Sequence, residues 1–185
     1  MTETLSPALP DALDRKAEQL MKALCKADLK VATAESCTGG LLASLLTDVE
    51  GSGHGFDRGF VTYESKAKQE MLGLPEALTE RNSAVTSAVA RAMAEGALQN
   101  SDADIALSVT GFAGPGGPDS EEGLVQFGCA RRGRTTMLRQ EHFGPIGRGP
   151  IRIKALEVLL KLLEAAIDEA ETDKVDHEPI ASTRG

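Results

Sequence analysis

Val31-Ala-Thr-Ala-Glu-Ser-Cys-Thr-Gly-Gly-Leu-Leu-Ala-Ser-Leu-Leu46 decides how this chain folds. An apolar run over residues 29–34, with β-branched Val31 and Thr33, reads as a strand. Leu41, Leu42, Leu45 and Leu46 follow at i, i+1, i+4 and i+5, which puts four leucines on one face of a helix over residues 38–49. Between the two lie Glu35, Ser36, Cys37, Thr38, Gly39 and Gly40. A strand therefore runs into a helix through a small polar turn. Such turns present a side chain and backbone N–H groups to a ligand, because a helix N-terminus has unpaired donors and a positive dipole end. Glycines there let another molecule approach the backbone closely. These residues alone allow a plainer role equally well, in which Ser36 or Thr38 only caps the helix.

The rest of the chain builds outward from that unit. Leu13, Ala17, Leu20, Met21 and Leu24 form an apolar stripe with charges between them, so residues 11–27 read as a helix. After the glycine loop of residues 51–55 come a strand at 56–63, a short helix at 65–72 and a connector at 75–85. Thr86 caps a helix to about Leu98, with Val89, Met93 and Leu98 inward. Residues 105–109 are continuously apolar, as an internal strand requires. The loop Gly111-Phe-Ala-Gly-Pro-Gly-Gly-Pro118 follows, then strands at 124–130 and 135–143 joined by Arg131-Arg-Gly-Arg134 as a hairpin. The last helix spans residues 151–170. Alternating strands and helices closed by a hairpin give an α/β fold, a layered α/β/α sandwich with a mixed sheet that includes the C-terminal hairpin. A length of 185 residues fits one domain, read here as residues 12–171 between a loose segment at 1–11 and a charged, disordered tail at 172–185.

Composition narrows the function. The net charge of −8 argues against general nucleic-acid binding, which needs a basic surface. The charge is uneven, however: from Arg131 to Lys154 there are seven basic residues and one acid, Glu141. That run fits either a small anionic ligand or a solvated basic face. Cys25, Cys37 and Cys129, odd in number and irregular in spacing, fit a reducing compartment and neither a disulfide framework nor a zinc site. Residues 1–12 lack the pattern of a signal peptide, and no apolar run approaches the ~18 residues that span a membrane. A cytoplasmic protein without membrane contact is expected.

Further motifs stand in order behind Ala34-Glu-Ser-Cys-Thr-Gly-Gly40: Gly59-Phe-Val-Thr-Tyr63, Lys68 with Met71-Leu-Gly73, Gly111-Phe-Ala-Gly-Pro115, and Arg148 with Arg152. Together they resemble the CinA C-terminal domain family, the nicotinamide-mononucleotide deamidases, over roughly residues 12–165. The resemblance implies hydrolysis of the nicotinamide mononucleotide carboxamide to nicotinate mononucleotide and ammonia, in pyridine nucleotide salvage. It implies no metal and no cofactor. The expected partner is a small pyridine nucleotide, and the expected assembly a homo-oligomer, dimer or higher.

Amide hydrolysis needs a nucleophile, a base and donors for the oxyanion. Ser36 and Cys37 compete as nucleophile. A cysteine hydrolase usually uses a histidine base, and His54, His142 and His177 carry no local signature; the resemblance points to Ser36. Lys66 and Lys68 compete as base. Lys66 stands at i, i+4 from Glu70, an ordinary surface pair, whereas Lys68 lies over Met71 and Leu72, the apolar side. Burial lowers an amine's pKa, which a general base requires. Tyr63 would hydrogen-bond within that pair or to substrate, or else sit at the edge of the core with its hydroxyl wet. The N–H groups around Thr38, Gly39 and Gly40 would hold the oxyanion.

Arg148-Gly-Pro-Ile-Arg152 opens the last helix, with Pro150 near its first position. Cations there oppose the helix dipole and need another purpose. Arg152 and Arg148 are therefore assigned to a phosphate, helped by backbone donors of the loop entered through Thr110, Gly111 and Gly114. Two departures from the family fall on this rim. Ser120-Glu-Glu-Gly-Leu124 lacks the usual lysine and proline, and Ile146-Gly-Arg148 stands where Gly-Asp-Arg is common. They support the competing reading, a non-catalytic nucleotide- or partner-binding module of the same fold. The roles of Glu121 and Glu122 stay open.

Overall fold

The computed structural model describes residues 9–79, 85–115 and 120–176, with backbone alone for 174–176. Its elements in chain order are α1 (Asp11–Ala27), β1 (Val31–Glu35), α2 (Leu41–Thr47), β2 (Phe56–Val61), α3 (Ser65–Leu72), α4 (Glu76–Thr79), α5 (Ser87–Gln99), β3 (Ile105–Gly111), β4 (Leu124–Arg131), β5 (Met137–His142) and α6 (Arg148–Asp176). The strands form one sheet in the order β2-β1-β3-β4-β5. β1 runs parallel to both β2 and β3, while β4 and β5 are antiparallel. The fold class is thus the expected α/β sandwich with a mixed sheet.

Each strand alternates its side chains between two helical layers. Val31, Ile105, Leu107, Val109, Val125, Phe127 and Cys129 pack with leucines of α1, α2 and α6. Ala32, Ala34, Phe60 and Ala106 pack on the other face with Leu72, Val89, Met93 and Ala97 of α3 and α5. The second layer is built from small residues and its helices lie close. A Cβ on Gly96 of α5 would stand 2.2 Å from the Leu72 carbonyl oxygen of α3.

The boundaries differ from the sequence reading where side chains or caps compete for the backbone. β1 runs one residue further, to Glu35, because β3 pairs with it there. α2 begins at Leu41 and not at residue 38, since Gly39 and Gly40 adopt φ of 64° and 92°, left-handed values that interrupt a helix. β2 ends at Val61, two residues short of Tyr63. The connector of residues 75–85 contains α4, which pins α3: Ser65 Oγ–H donates to the Thr79 carbonyl and Gln69 Nε2–H to Thr79 Oγ1, each at 2.6 Å. α6 starts at Arg148, which makes Pro150 its third residue, where a missing N–H still costs nothing. It also takes in residues 172–176, expected from the sequence to begin the tail. Thr86 caps α5 as expected, its hydroxyl accepting from Val89 N–H at 3.3 Å. The segment at 1–8 and the tail from 177 lie outside the described residues.

No helix among the described residues is long and apolar enough to cross a membrane.

Candidate active site

The turn after β1 is held from several sides. Ser36 N–H donates to the Val109 carbonyl of β3 at 3.0 Å, extending the parallel ladder one step beyond Glu35. This places Ser36 beside Thr110, the next residue of β3, and both are buried. The Ser36 hydroxyl accepts a hydrogen bond from Lys68 Nζ at 3.3 Å, and the same amine donates to the Tyr63 carbonyl at 2.9 Å. Lys68 is 2% exposed. Burial holds its pKa below the ordinary value, against the opposing pull of Glu64. Lys66 behaves as its spacing predicts: it is exposed and paired with Glu70 at 3.5 Å. The facing argument holds only in part, because Leu72 is buried with Lys68 while Met71 points outward.

Tyr63 meets the pair through its backbone. Its carbonyl, and not its phenol, accepts from Lys68, and the side chain is 64% exposed. Cys37 is buried, and burial pushes its thiol up to about 12, with only partial relief from Arg152. A thiol held protonated in this way is a poor nucleophile at neutral pH.

The sequence reading missed Glu35. Its carboxylate is fully buried and accepts from Thr38 Oγ1 at 2.6 Å, Gly40 N–H at 3.1 Å, Leu42 N–H at 3.1 Å and Ala43 N–H at 2.8 Å. It fills the N-terminus of α2, where a negative charge is favoured. This narrows the candidate oxyanion donors. Gly40 N–H goes to Glu35, and Gly39 N–H goes to the Ser36 carbonyl at 3.2 Å. Among the described residues the Thr38 N–H meets no acceptor in the chain, while the Cys37 backbone is turned to its own thiol. The Thr38 hydroxyl likewise serves Glu35. The signal was legible: by strand alternation Glu35 shares its face with Val31 and Thr33, which turns a carboxylate inward just ahead of a helix start.

The basic run divides. Arg131 and Arg134 pair with Asp173 of α6, Arg132 binds the carbonyls of Leu98, Ser101 and Ala103, and Arg139 pairs with Glu141 at 2.7 Å. These serve the fold. Arg148 and Arg152, one turn apart on α6, go to the site. Arg152 Nε–H donates to the Cys37 carbonyl at 2.8 Å, and its Nη2 lies 3.7 Å from where a Cβ on Gly39 would stand. Arg148 covers the loop after β3: its Nη2 would be 2.9 Å from a Cβ on Gly114. Gly111 has a packing reason to be glycine, since a Cβ there would meet the Leu124 carbonyl at 2.8 Å. Residues 116–119 of that loop lie outside the described residues. Glu121 Oε1 accepts from His142 Nδ1–H at 2.5 Å and so ties this rim to β5.

The family described as CinA C-terminal domain matches residues 13–167. A CinA-like protein of Akkermansia muciniphila is 46% identical over 153 residues, 81% of this chain and 37% of that protein. The chain thus spans well under half the length of that relative. Nicotinamide-nucleotide amidohydrolase PncC of Enterobacter agglomerans is 46% identical over 128 residues, covering 68% of this chain and 77% of the relative. Among solved structures, the competence/damage inducible protein CihA from Agrobacterium tumefaciens superposes with a TM-score of 0.82 at 37% identity, covering 91% of this chain and 99% of that one. With a family match over most of its length and a shared fold, the chain belongs to the CinA C-terminal domain family.

Proposed function

We propose that this chain hydrolyses the carboxamide of nicotinamide mononucleotide to nicotinate mononucleotide and ammonia. The observation that carries the reading is the buried Lys68 amine 3.3 Å from Ser36 Oγ, with its pKa lowered by desolvation. A neutral amine at that distance takes the hydroxyl proton as Ser36 Oγ attacks the carboxamide carbon. The Thr38 N–H group receives the oxyanion. Lys68 then passes its proton to the departing nitrogen, which leaves as ammonia, and an ester on Ser36 remains. Water attacks that ester with Lys68 taking its proton, and the acid and free Ser36 are regenerated. Arg148 and Arg152 hold the phosphate. The amidohydrolase name of the Enterobacter relative supports the reaction class.

The test is ammonia release from nicotinamide mononucleotide by wild type, Ser36→Ala and Cys37→Ala. Ser36→Ala is expected to lose activity by several orders of magnitude while keeping its fold, and Cys37→Ala to stay within a few-fold of wild type. Activity in Ser36→Ala near that of wild type overturns the proposal. Binding of the mononucleotide by wild type without ammonia release makes the chain a binding module.

A further inference from the structure

Arg152 sits where the phosphate end of the site meets the chemistry. Its Nε–H holds the Cys37 carbonyl at 2.8 Å. That carbonyl and the Thr38 N–H belong to one planar trans peptide, so fixing the first fixes the direction of the second. The far side of the same peptide is anchored too, because the Thr38 hydroxyl binds buried Glu35 at 2.6 Å. One peptide unit, the second after the nucleophile, is therefore clamped between α6 and the end of β1. A cation on a peptide carbonyl also polarises the unit and makes its N–H a stronger donor. The guanidinium is a rigid fork. With Nε on the carbonyl, Nη1 and Nη2 keep donors that, among the described residues, meet no carboxylate, and Nη2 lies over Gly39.

We infer that phosphate bound at Arg152 speeds the amide step and does more than hold the substrate. An anion on the outer edge of the guanidinium fixes its plane, which fixes the Cys37–Thr38 peptide and aims the Thr38 N–H at the oxyanion. Arg152 is then a positioning residue for the reaction as well as a phosphate ligand. The inference rests on the amidohydrolase reading above. It differs from a simple clamp in where the energy of the remote phosphate goes: a clamp lowers KM, whereas coupling raises kcat.

The experiment compares nicotinamide mononucleotide with nicotinamide riboside, which lacks the phosphate, and then adds inorganic phosphite to the riboside at constant ionic strength. Coupling predicts a riboside kcat lower than that of the mononucleotide by about tenfold or more. It also predicts that phosphite raises the riboside rate in wild type and leaves Arg152→Lys unmoved, because an ammonium keeps the charge but cannot hold a carbonyl and an anion with one fork. Equal kcat for the two substrates with a higher KM for the riboside overturns the coupling and leaves the amidohydrolase reading standing. Phosphite activation that survives in Arg152→Lys also overturns it. Absence of ammonia from the mononucleotide itself removes both.

Discussion

Replacing Lys68 by methionine tests the centre of the site. The substitution keeps the length of the side chain and removes the amine that lies 3.3 Å from Ser36 Oγ and 2.9 Å from the Tyr63 carbonyl. A positioned general base contributes about 10²–10⁴ in rate. At 1.36 kcal/mol per tenfold, the barrier should rise by about 3–5 kcal/mol. Stability should change much less. The Tyr63 carbonyl loses a donor, at about 1–3 kcal/mol if no water replaces it, while a desolvated amine is removed. The pH dependence carries a sign. The folded pKa of Lys68 lies below the ordinary 10.5, so between the two values the unfolded chain binds more protons than the folded one. Stability contributed by this residue therefore rises with pH through that window, and below the folded pKa the full cost of burying a charged amine stands. Thermal melts across the window should show wild type gaining on Lys68→Met as pH increases. Wild-type kcat/KM should rise along a limb set by a group titrating below 10.5. Lys66→Met, exposed and paired only with Glu70, should behave as wild type in both assays. Equal losses in the two variants, or a limb at the value of a free lysine, would refute the reasoning.

Glu35→Gln should destabilise the fold by about 2–4 kcal/mol, since it removes a charge that accepts four hydrogen bonds and turns an NH2 group toward N–H donors; an unchanged denaturation midpoint counts against this. Gly96→Ala should cost about 1–3 kcal/mol, because its Cβ meets the Leu72 carbonyl, and should also lower kcat by displacing α3 and with it Lys68; a loss of stability with kcat intact would show that α3 yields without moving the amine.

Much of this was legible in the sequence, for physical reasons. Periodicity found the apolar faces of α1 and α5, because burial of a stripe is what makes those helices stable. The spacing of Lys66 and Glu70 told the exposed lysine from the buried one. What was not legible is where the backbone donors go. Leucine spacing extends a helix back to residue 38, but the left-handed glycines and the Glu35 carboxylate decide that α2 starts at Leu41. That decision engages the Gly39 and Gly40 N–H groups and, of the three expected donors, leaves only Thr38 open. The phenol of Tyr63 has the chemistry of a site residue, yet β2 ends at Val61 and only the Tyr63 carbonyl faces Lys68. In the basic run, local sequence gives no sign that Arg131 and Arg134 find Asp173, which lies on the far part of α6.

The topology explains why residues so distant in sequence meet at one turn. β1 lies between β2 and β3, and the two connections that reach those neighbours use opposite faces of the sheet. The chain leaves β1 through α2 on the α1/α6 side and returns from β2 to β3 through α3 and α5 on the other. Right-handed crossovers that travel in opposite directions must take opposite faces. The connection leaving β1 therefore crosses one face of the sheet and the connection leaving its neighbour β2 crosses the other. Ser36 follows the carboxyl end of β1, beside Thr110–Gly111 at the end of β3. α3 reaches this turn from one face with Lys68, and α6 from the other with Arg152. An amine and a guanidinium thus arrive from opposite layers and contact consecutive residues, Ser36 and Cys37, so the proposed base and the proposed phosphate ligand are held by separate helices on one turn.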